Sequence, residues 1–376
     1  MKKPSTPFPV AGYYGPSYFC DREEETKVLL GNITGGQSTV LTAQRRIGKT
    51  ALIHHVLAKL PKGTRGIYLD ILPTENMAGF LNELATAVIR NIAERKGIGR
   101  KIWDFIRSLR PSVTFDVLTG SPQLSFTLKD QEVNRQIEAI FSFLEIQDEK
   151  FVIAIDEFQQ ILMYPEKNTD SWLRSVIQRL KNVVFIFSGS QQHLMSDLFT
   201  IPSRPFYKSA GTLRIGRIKR EKYISFIEKK FRDGKKVLKT EIIDQVLEWT
   251  DIHTYYVQLL CNRIYLSYAP ELTEKIWKEE AFRLLLEQQP VFFNYRGMLT
   301  IPQWQLLKSI ALEGILFEPT GNDFIAKHSL GSPSTVLRSL QSLLRMELIY
   351  FDYTAEGKKF FKIHDLLFRR WAETMG

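Results

Sequence analysis

Ala43-Gln44-Arg45-Arg46-Ile47-Gly48-Lys49-Thr50 decides the fold of this chain. The octapeptide follows Thr39-Val40-Leu41-Thr42, a short apolar run that reads as a buried strand. It precedes Ala51-Leu52-Ile53 through Leu60, a helical pattern stopped by Pro61 and Gly63. Strand, Gly-Lys-Thr loop and helix together form a phosphate loop, with alanine in place of the pattern's first glycine. Gly48 lets the backbone curl so that its amides face phosphate oxygens at a helix N-terminus, which favours anions. Lys49 is placed to bridge terminal phosphates, and Thr50 to ligate Mg²⁺ through its hydroxyl. The triplet alone is a weak signal. Its position between strand and helix makes it a strong one.

Outward from this loop, short apolar runs alternate with helical patterns from residue 38 to residue 190. Gly66-Ile67-Tyr68-Leu69-Asp70-Ile71 reads as a second strand, and Phe80, Leu81, Leu84, Val88 and Ile92 share one helix face. Phe151–Ile155 and Val183–Phe187 are unbroken apolar strands, as expected when helices cover both faces of a parallel sheet. Leu213-Arg214-Ile215 is a candidate fifth. The fold class is α/β, a parallel sheet with helices on both faces. Val113–Val117 and Gln123–Thr127 alternate around Thr119-Gly120-Ser121-Pro122, a hairpin inserted at about 111–128.

Asp156 and Glu157 end the third strand, where side chains leave a parallel sheet on its loop side. Asp156 is placed to hold Mg²⁺ through water, and Glu157 to polarise the attacking water that hydrolysis needs. The plainer alternative is acidic residues favouring the start of a following helix. Ser188-Gly189-Ser190 ends the next strand, and Ser188 is a candidate for sensing the terminal phosphate. Arg204, Lys208, Arg214 and Arg217 are candidate arginine fingers among which the sequence does not choose. His253, ahead of a helix at Tyr255–Tyr268, either touches nucleotide or is a packed capping residue. The expected site set is therefore Glu157, Lys49 and Ser188 for catalysis, and Thr50 and Asp156 for metal. Arg45, Arg46, Ile47, Gly48, Lys49, Thr50, Ala51 and His253 are expected around the nucleotide.

The 376 residues carry a net charge of +10 and 44% hydrophobic residues, which describes a globular chain longer than one ordinary core. Lys and Arg outnumber Asp and Glu by 13 to 3 between Ile201 and Lys239, so the remaining 38 basic and 38 acidic residues cancel. An anionic partner belongs to segment 201–239, unless Lys229, Lys230, Arg232, Lys235 and Lys236 form an ordinary solvated face. No apolar run approaches the roughly eighteen residues of a membrane span. Met1–Pro7 has basic residues without an apolar core behind them, so no secretory signal is expected. Cys20 and Cys261 lie far apart with no metal-ligand spacing, which suggests reduced thiols and a cytoplasmic protein.

From Lys219 to about Pro290 the pattern is helical, with Tyr223, Phe226, Ile227, Lys230 and Phe231 on one stripe and further helices at Glu241–Trp249 and Tyr255–Tyr268. A break is expected near Asn294-Tyr295-Arg296-Gly297. Three helices, a two-stranded wing and a last helix follow: Gln303–Leu312, Asn322–Lys327, Pro333–Met346, Leu348–Tyr353, Lys358–Ile363 and Leu366–Thr374. That order makes a winged helix-turn-helix. Its third helix should bury Val336, Leu337, Leu340, Leu343 and Leu344, leaving Ser334, Thr335, Arg338, Ser339, Gln341 and Ser342 outward. Such a face suits a DNA groove, yet residues 298–376 carry only 9 basic against 8 acidic residues, so protein packing fits equally. The expected domains are 1–218, 219–296 and 297–376.

Phe19-Cys20-Asp21-Arg22-Glu23-Glu24-Glu25, Arg45–Thr50, Ile153–Gln159 and Phe187–Ser190 together resemble the archaeal-type P-loop ATPases of the AAA+/STAND superfamily. The resemblance spans nearly the whole chain and implies a nucleotide-binding domain, a helical lid and a winged helix. It also implies ATP and Mg²⁺ as ligands, with Arg22 on the nucleotide side. Three positions depart from the pattern. Ala43 replaces a glycine, Ile252-His253-Thr254 stands for a Gly-x-Pro lid element, and Lys208 stands where an arginine is common. The leading expectation is an ATPase switch. ATP-dependent DNA binding of the origin-recognition or transposition kind, and an ATP-bound scaffold, are the alternatives. The partner would be duplex DNA or a protein, met through segment 201–239 and the winged helix, with self-association left open and no membrane.

Overall fold

Lys150–Asp156 is apolar at every internal position, and such a run is stable only as a strand covered on both faces. The computed structural model describes residues 4–92, 98–116, 120–127, 130–267 and 272–374. Of the expected elements, Val117, Thr119 and residue 128 of the hairpin, and Tyr268 at a helix end, lie outside them.

The chain folds into two units. The first comprises Pro9–Tyr223 with His253–Tyr255. In chain order it contains α1 (Glu23–Thr34), β1 (Thr39–Thr42), α2 (Lys49–Leu57), β2 (Thr64–Asp70), α3 (Met77–Ile92) and α4 (Ile98–Ser108). There follow β3 (Ser112–Phe115), β4 (Pro122–Ser125), α5 (Asp130–Glu145), β5 (Lys150–Asp156) and a 3₁₀ turn (Phe158–Met163). Then come α6 (Thr169–Ile177), β6 (Val183–Gly189), α7 (Gln192–Thr200) and β7 (Gly211–Arg214).

Five of these strands pair in parallel in the order β2-β5-β6-β1-β7. The strand period of two splits β5 between two cores. Phe151, Ile153 and Ile155 join Phe80, Leu84, Ile137 and Phe141 on one face. Val152 and Ala154 join Leu29, Ile33, Leu52, Ile53 and Val56 on the other. Each large side chain so buried contributes roughly 1.5–3 kcal/mol. β3 and β4 form the expected antiparallel hairpin, with Val113 opposite Leu124. Its inner strand is held by α3, whose Thr86 hydroxyl accepts from the Leu124 amide at 2.9 Å and whose Asn82 accepts from Phe126 at 3.0 Å.

The second unit comprises Thr6–Phe8, Ile224–Ile252 and the chain from Tyr256 onward. α8 (Arg220–Asp233) leads into it, followed by α9 (Thr240–Trp249), α10 (Thr254–Leu266) and α11 (Glu274–Met298). α12 (Ile301–Glu313), α13 (Asn322–Lys327), α14 (Pro333–Arg345), β8 (Ile349–Tyr353), β9 (Lys359–Ile363) and α15 (Leu366–Thr374) complete the winged helix. Its core includes Phe292, fully buried, with ring centroids 5.5 Å from Phe368 and 5.3 Å from Trp371. The second thiol, Cys261, is also fully buried, and both cysteines are free.

Four expectations need correction. α2 starts at Lys49, not Ala51, because Gly48 at φ 102° already ends the loop, and it stops at Leu57 rather than Leu60. The break expected at Asn294–Gly297 is absent. α11 runs through Pro290 to Met298, since Phe292 and Tyr295 pack on Phe368, and the chain turns instead at a Thr300–Gln303 capping box. On α14, Leu337 is 47% exposed while Ser339 is buried. Among the charges, Lys230 is buried over the Phe226 ring, and Lys236 donates to the carbonyls of Tyr265 and Ser267. Neither belongs to a solvated face.

Candidate active site

The parallel register brings three loops to one end of the sheet. Thr42 at the end of β1 lies opposite Gly189 at the end of β6, and Ile155 of β5 lies opposite Phe187. The phosphate loop, Asp156-Glu157 and Ser188–Ser190 therefore emerge side by side, at the carboxyl ends where open parallel sheets bind ligands.

Within the loop, Ala43 and Ile47 are buried in the same core as Leu52 and Ile53, which anchors both ends of the turn. Ala43 thus fills space that a glycine would leave open. Arg46 takes a left-handed conformation at φ 60° and Gly48 one at φ 102°, ψ 25°. Around Gly48 the nearest atom to an added Cβ is Thr254 Cγ2 at 4.0 Å, so conformation rather than space requires the glycine. Arg45 and Arg46 are exposed, and Ala51 follows on α2. Arg46 lies over the Tyr255 ring at 4.4 Å, and His253 Nε2 is 3.1 Å from the Arg45 carbonyl. The segment 253–255 therefore braces the loop from outside.

Lys49 is buried, and burial pushes its amine below the ordinary lysine range, while the carboxylates of Glu157 and Asp156 pull it back up. The Thr50 hydroxyl donates to Asp156 Oδ2 at 2.7 Å, and the Tyr68 hydroxyl donates to the same oxygen at 3.0 Å. Burial, then the Asp156 charge, push the Tyr68 phenol well up, so it remains a donor. Hydroxyl and carboxylate oxygens are the hard donors that Mg²⁺ takes, one or two from protein and the rest from phosphates and water, so this pair fits that ion.

Glu157 is left-handed at φ 56°, ψ 40°, where β5 gives way to the 3₁₀ turn. Its Oε2 accepts from Gln159 Nε2 at 2.6 Å, from the Ser190 hydroxyl at 2.8 Å and from the Ser190 amide at 3.1 Å. Ser188 is fully buried, and its hydroxyl has no hydrogen-bond partner among the described residues. Arg22 is buried too. It donates to Glu25 at 2.8 Å and to the Gly216 carbonyl at 2.7 Å, which ties α1 to the segment after β7.

Comparison with known proteins accords with this arrangement. The model of an ATPase domain found predominantly in Archaea matches residues 19–260, and a winged helix domain model matches residues 290–374. The chain belongs to this archaeal ATPase family. No curated protein matches its sequence significantly. Among solved structures, a Walker-type ATPase of Pyrococcus abyssi is similar at a TM-score of 0.67 and 18% identity, covering 98% of this chain and 100% of its own. The ORC2 protein of Aeropyrum pernix, in ADPNP-ADP complexes, gives 0.58 at 12% identity, covering 97% of each chain. The ORC1 protein of the same organism, in complex with DNA, gives 0.53 at 13%, covering 99% of this chain and 96% of its own. These likenesses establish the P-loop ATPase fold with its winged helix.

In this member of the family the site neighbours that sequence reasoning missed are Tyr68, Gln159 and Ser190. Tyr68 lay inside a strand read only for its apolar character. Gln159 stood in the Asp-Glu-Phe-Gln run without a role. At the end of β6 it is Ser190 that reaches Glu157, while Ser188 turns inward. Among the described residues no helix is long and apolar enough to cross a membrane.

Proposed function

We propose that this ATPase-family chain binds Mg·ATP at the phosphate loop and hydrolyses it slowly, as a nucleotide-dependent switch. The observation behind this reading is the convergence of Lys49 and Thr50 after β1 with Asp156 and Glu157 at the end of β5, on either side of β6, with Thr50 bonded to Asp156 at 2.7 Å. The loop amides and Lys49 would hold the phosphates. Burial strengthens that attraction, because charge on Lys49 is poorly screened there. Thr50 and Asp156 would hold Mg²⁺, which when bound offsets charge on the phosphate oxygens. Glu157, fixed through one oxygen, would take the proton of the attacking water. Ser188 and His253 stay secondary candidates, for sensing phosphate and for bracing the loop.

Phosphate release from Mg·ATP by the wild type, Lys49→Ala and Glu157→Gln tests the proposal. Glu157→Gln should lose about a hundredfold or more of turnover while still binding ATP. Lys49→Ala should lose binding as well. Unchanged release in Glu157→Gln refutes the mechanism. Tight ATP binding without turnover in the wild type would leave an ATP-bound scaffold.

A second reading, ATP-dependent DNA binding, draws on the winged helix together with the exposed Lys229, Arg232, Lys235, Lys239 and Arg338.

A further inference from the structure

Glu157 is held more tightly than the acid–base role alone explains. All three hydrogen bonds it accepts fall on Oε2, and no bond from the described residues reaches Oε1. The backbone there is left-handed, a conformation uncommon for a residue with a side chain and retained where the surroundings enforce it. The enforcement is visible in Phe158, whose ring lies 4.6 Å from Phe187 and 5.2 Å from Phe206, so the turn after β5 is nailed into the core. Gln159 is buried beside it.

A carboxylate can only accept, so the Gln159 amide must present its NH₂ to Glu157, and its own oxygen then faces away. That oxygen is buried without a hydrogen-bond partner among the described residues, a standing cost in a folded protein. It also lies where a Cβ on Gly189 would come, at 2.2 Å. Glycine at the end of β6 leaves room for this pose, and also for Met195, whose Cγ would lie 2.6 Å from the same Cβ. An orphaned acceptor and a glycine that leaves it room thus meet at the amide that contacts Glu157.

From this geometry we infer that Gln159 is a positioning residue for Glu157. Together with Ser190 it immobilises Oε2, so that Oε1 alone is left to receive a proton from water. The inference rests on the reading of Glu157 as the base. Gln159 touches neither phosphate nor water in this role; it acts through the carboxylate. Misplacing a reacting group by about 1 Å can cost on the order of a hundredfold in rate, so a carboxylate freed to rotate should turn over slowly.

The experiment measures kcat and KM for Mg·ATP, ATP affinity by calorimetry and melting temperature in Gln159→Met, Ser190→Ala, Glu157→Gln and the double variant Gln159→Met/Glu157→Gln. Gln159→Met keeps the length and removes the donor. It should lower kcat about tenfold or more, with KM and ATP affinity within about twofold of wild type. Ser190→Ala keeps the backbone donor and should show a smaller loss of the same kind. In the Glu157→Gln background, Gln159→Met should have no further effect, because the group it positions is gone. Unchanged or raised kcat in Gln159→Met, with Glu157→Gln inactive, overturns the positioning role and leaves the base assignment standing. Additive losses in the double variant overturn it as well, by showing a general structural defect. Full activity in Glu157→Gln overturns the base assignment and this inference with it. Should Gln159→Met fail to fold, Ser190→Ala decides: wild-type kcat there refutes the clamp.

Discussion

At Gly48 the backbone stands at φ 102° with open space around the missing side chain. An alanine there meets no clash, yet must adopt a conformation that costs an L-residue roughly 1–2 kcal/mol. The loop can relieve that strain only by turning its amides away from where phosphate would sit. Gly48→Ala should therefore weaken ATP binding about tenfold, the affinity equivalent of about 1.4 kcal/mol, while moving the melting temperature little. Titration with ATP alongside a thermal melt checks both halves. The same residue shows what sequence can reveal at this scale. The placement of Gly48, Lys49, Thr50, Asp156 and Glu157 was legible because it follows from local order, strand then loop then helix, or strand then acid. Tyr68 and Ser190 were not. Tyr68 reaches Asp156 only because β2 pairs with β5, and Ser190 reaches Glu157 only because β6 does, and strand order leaves no local trace. Arg22, expected on the nucleotide side by resemblance alone, sits bonded to Glu25 and Gly216.

The elements were easier to find than to bound. Apolar runs revealed β1, β5 and β6, which are buried on both faces, whereas β7 at Gly211–Arg214 is mostly exposed and was only a candidate at Leu213–Ile215. Helix ends depended on packing. α11 tolerates Pro290, which lacks an amide and would ordinarily kink a helix, because Phe292 and Tyr295 secure the turn beyond it. α14 offers the sharpest test. Val336, Ser339, Leu340 and Leu343 are its buried positions, at spacings of three and four, whereas Leu337 falls on the flank with 47% of its surface exposed. Leu340→Ala should cost about 2–5 kcal/mol, and Leu337→Gln no more than about 0.5 kcal/mol. Urea unfolding of the two variants would reverse the assignment of that face if the order of their costs came out opposite.

For the molecule as a whole, the net charge of +10 equals the balance of segment 201–239, so any electrostatic attraction to a polyanion should trace to it. Not every charge in that segment is available. Lys236 donates to two carbonyls, and burial pushes the Lys230 amine below its usual range. Lys229, Arg232, Lys235 and Lys239 are exposed. Each phosphate contact releases a counterion and adds about 0.9 to the slope of log affinity against log salt. If duplex DNA is the partner, replacing these four by glutamine should flatten that slope by about three to four while leaving the fold intact. Lys236→Met should do the opposite, lowering the melting temperature by removing the donor to Tyr265 and Ser267 while barely changing the slope. Arg338 on the exposed face of α14 adds a further point of contact, so Arg338→Glu should weaken binding beyond the loss of one charge. Fluorescence anisotropy with labelled duplex at several salt concentrations measures all three variants. Absence of binding by the wild type at low salt would remove DNA as the partner and return the exposed cations to the reading of an ordinary solvated face.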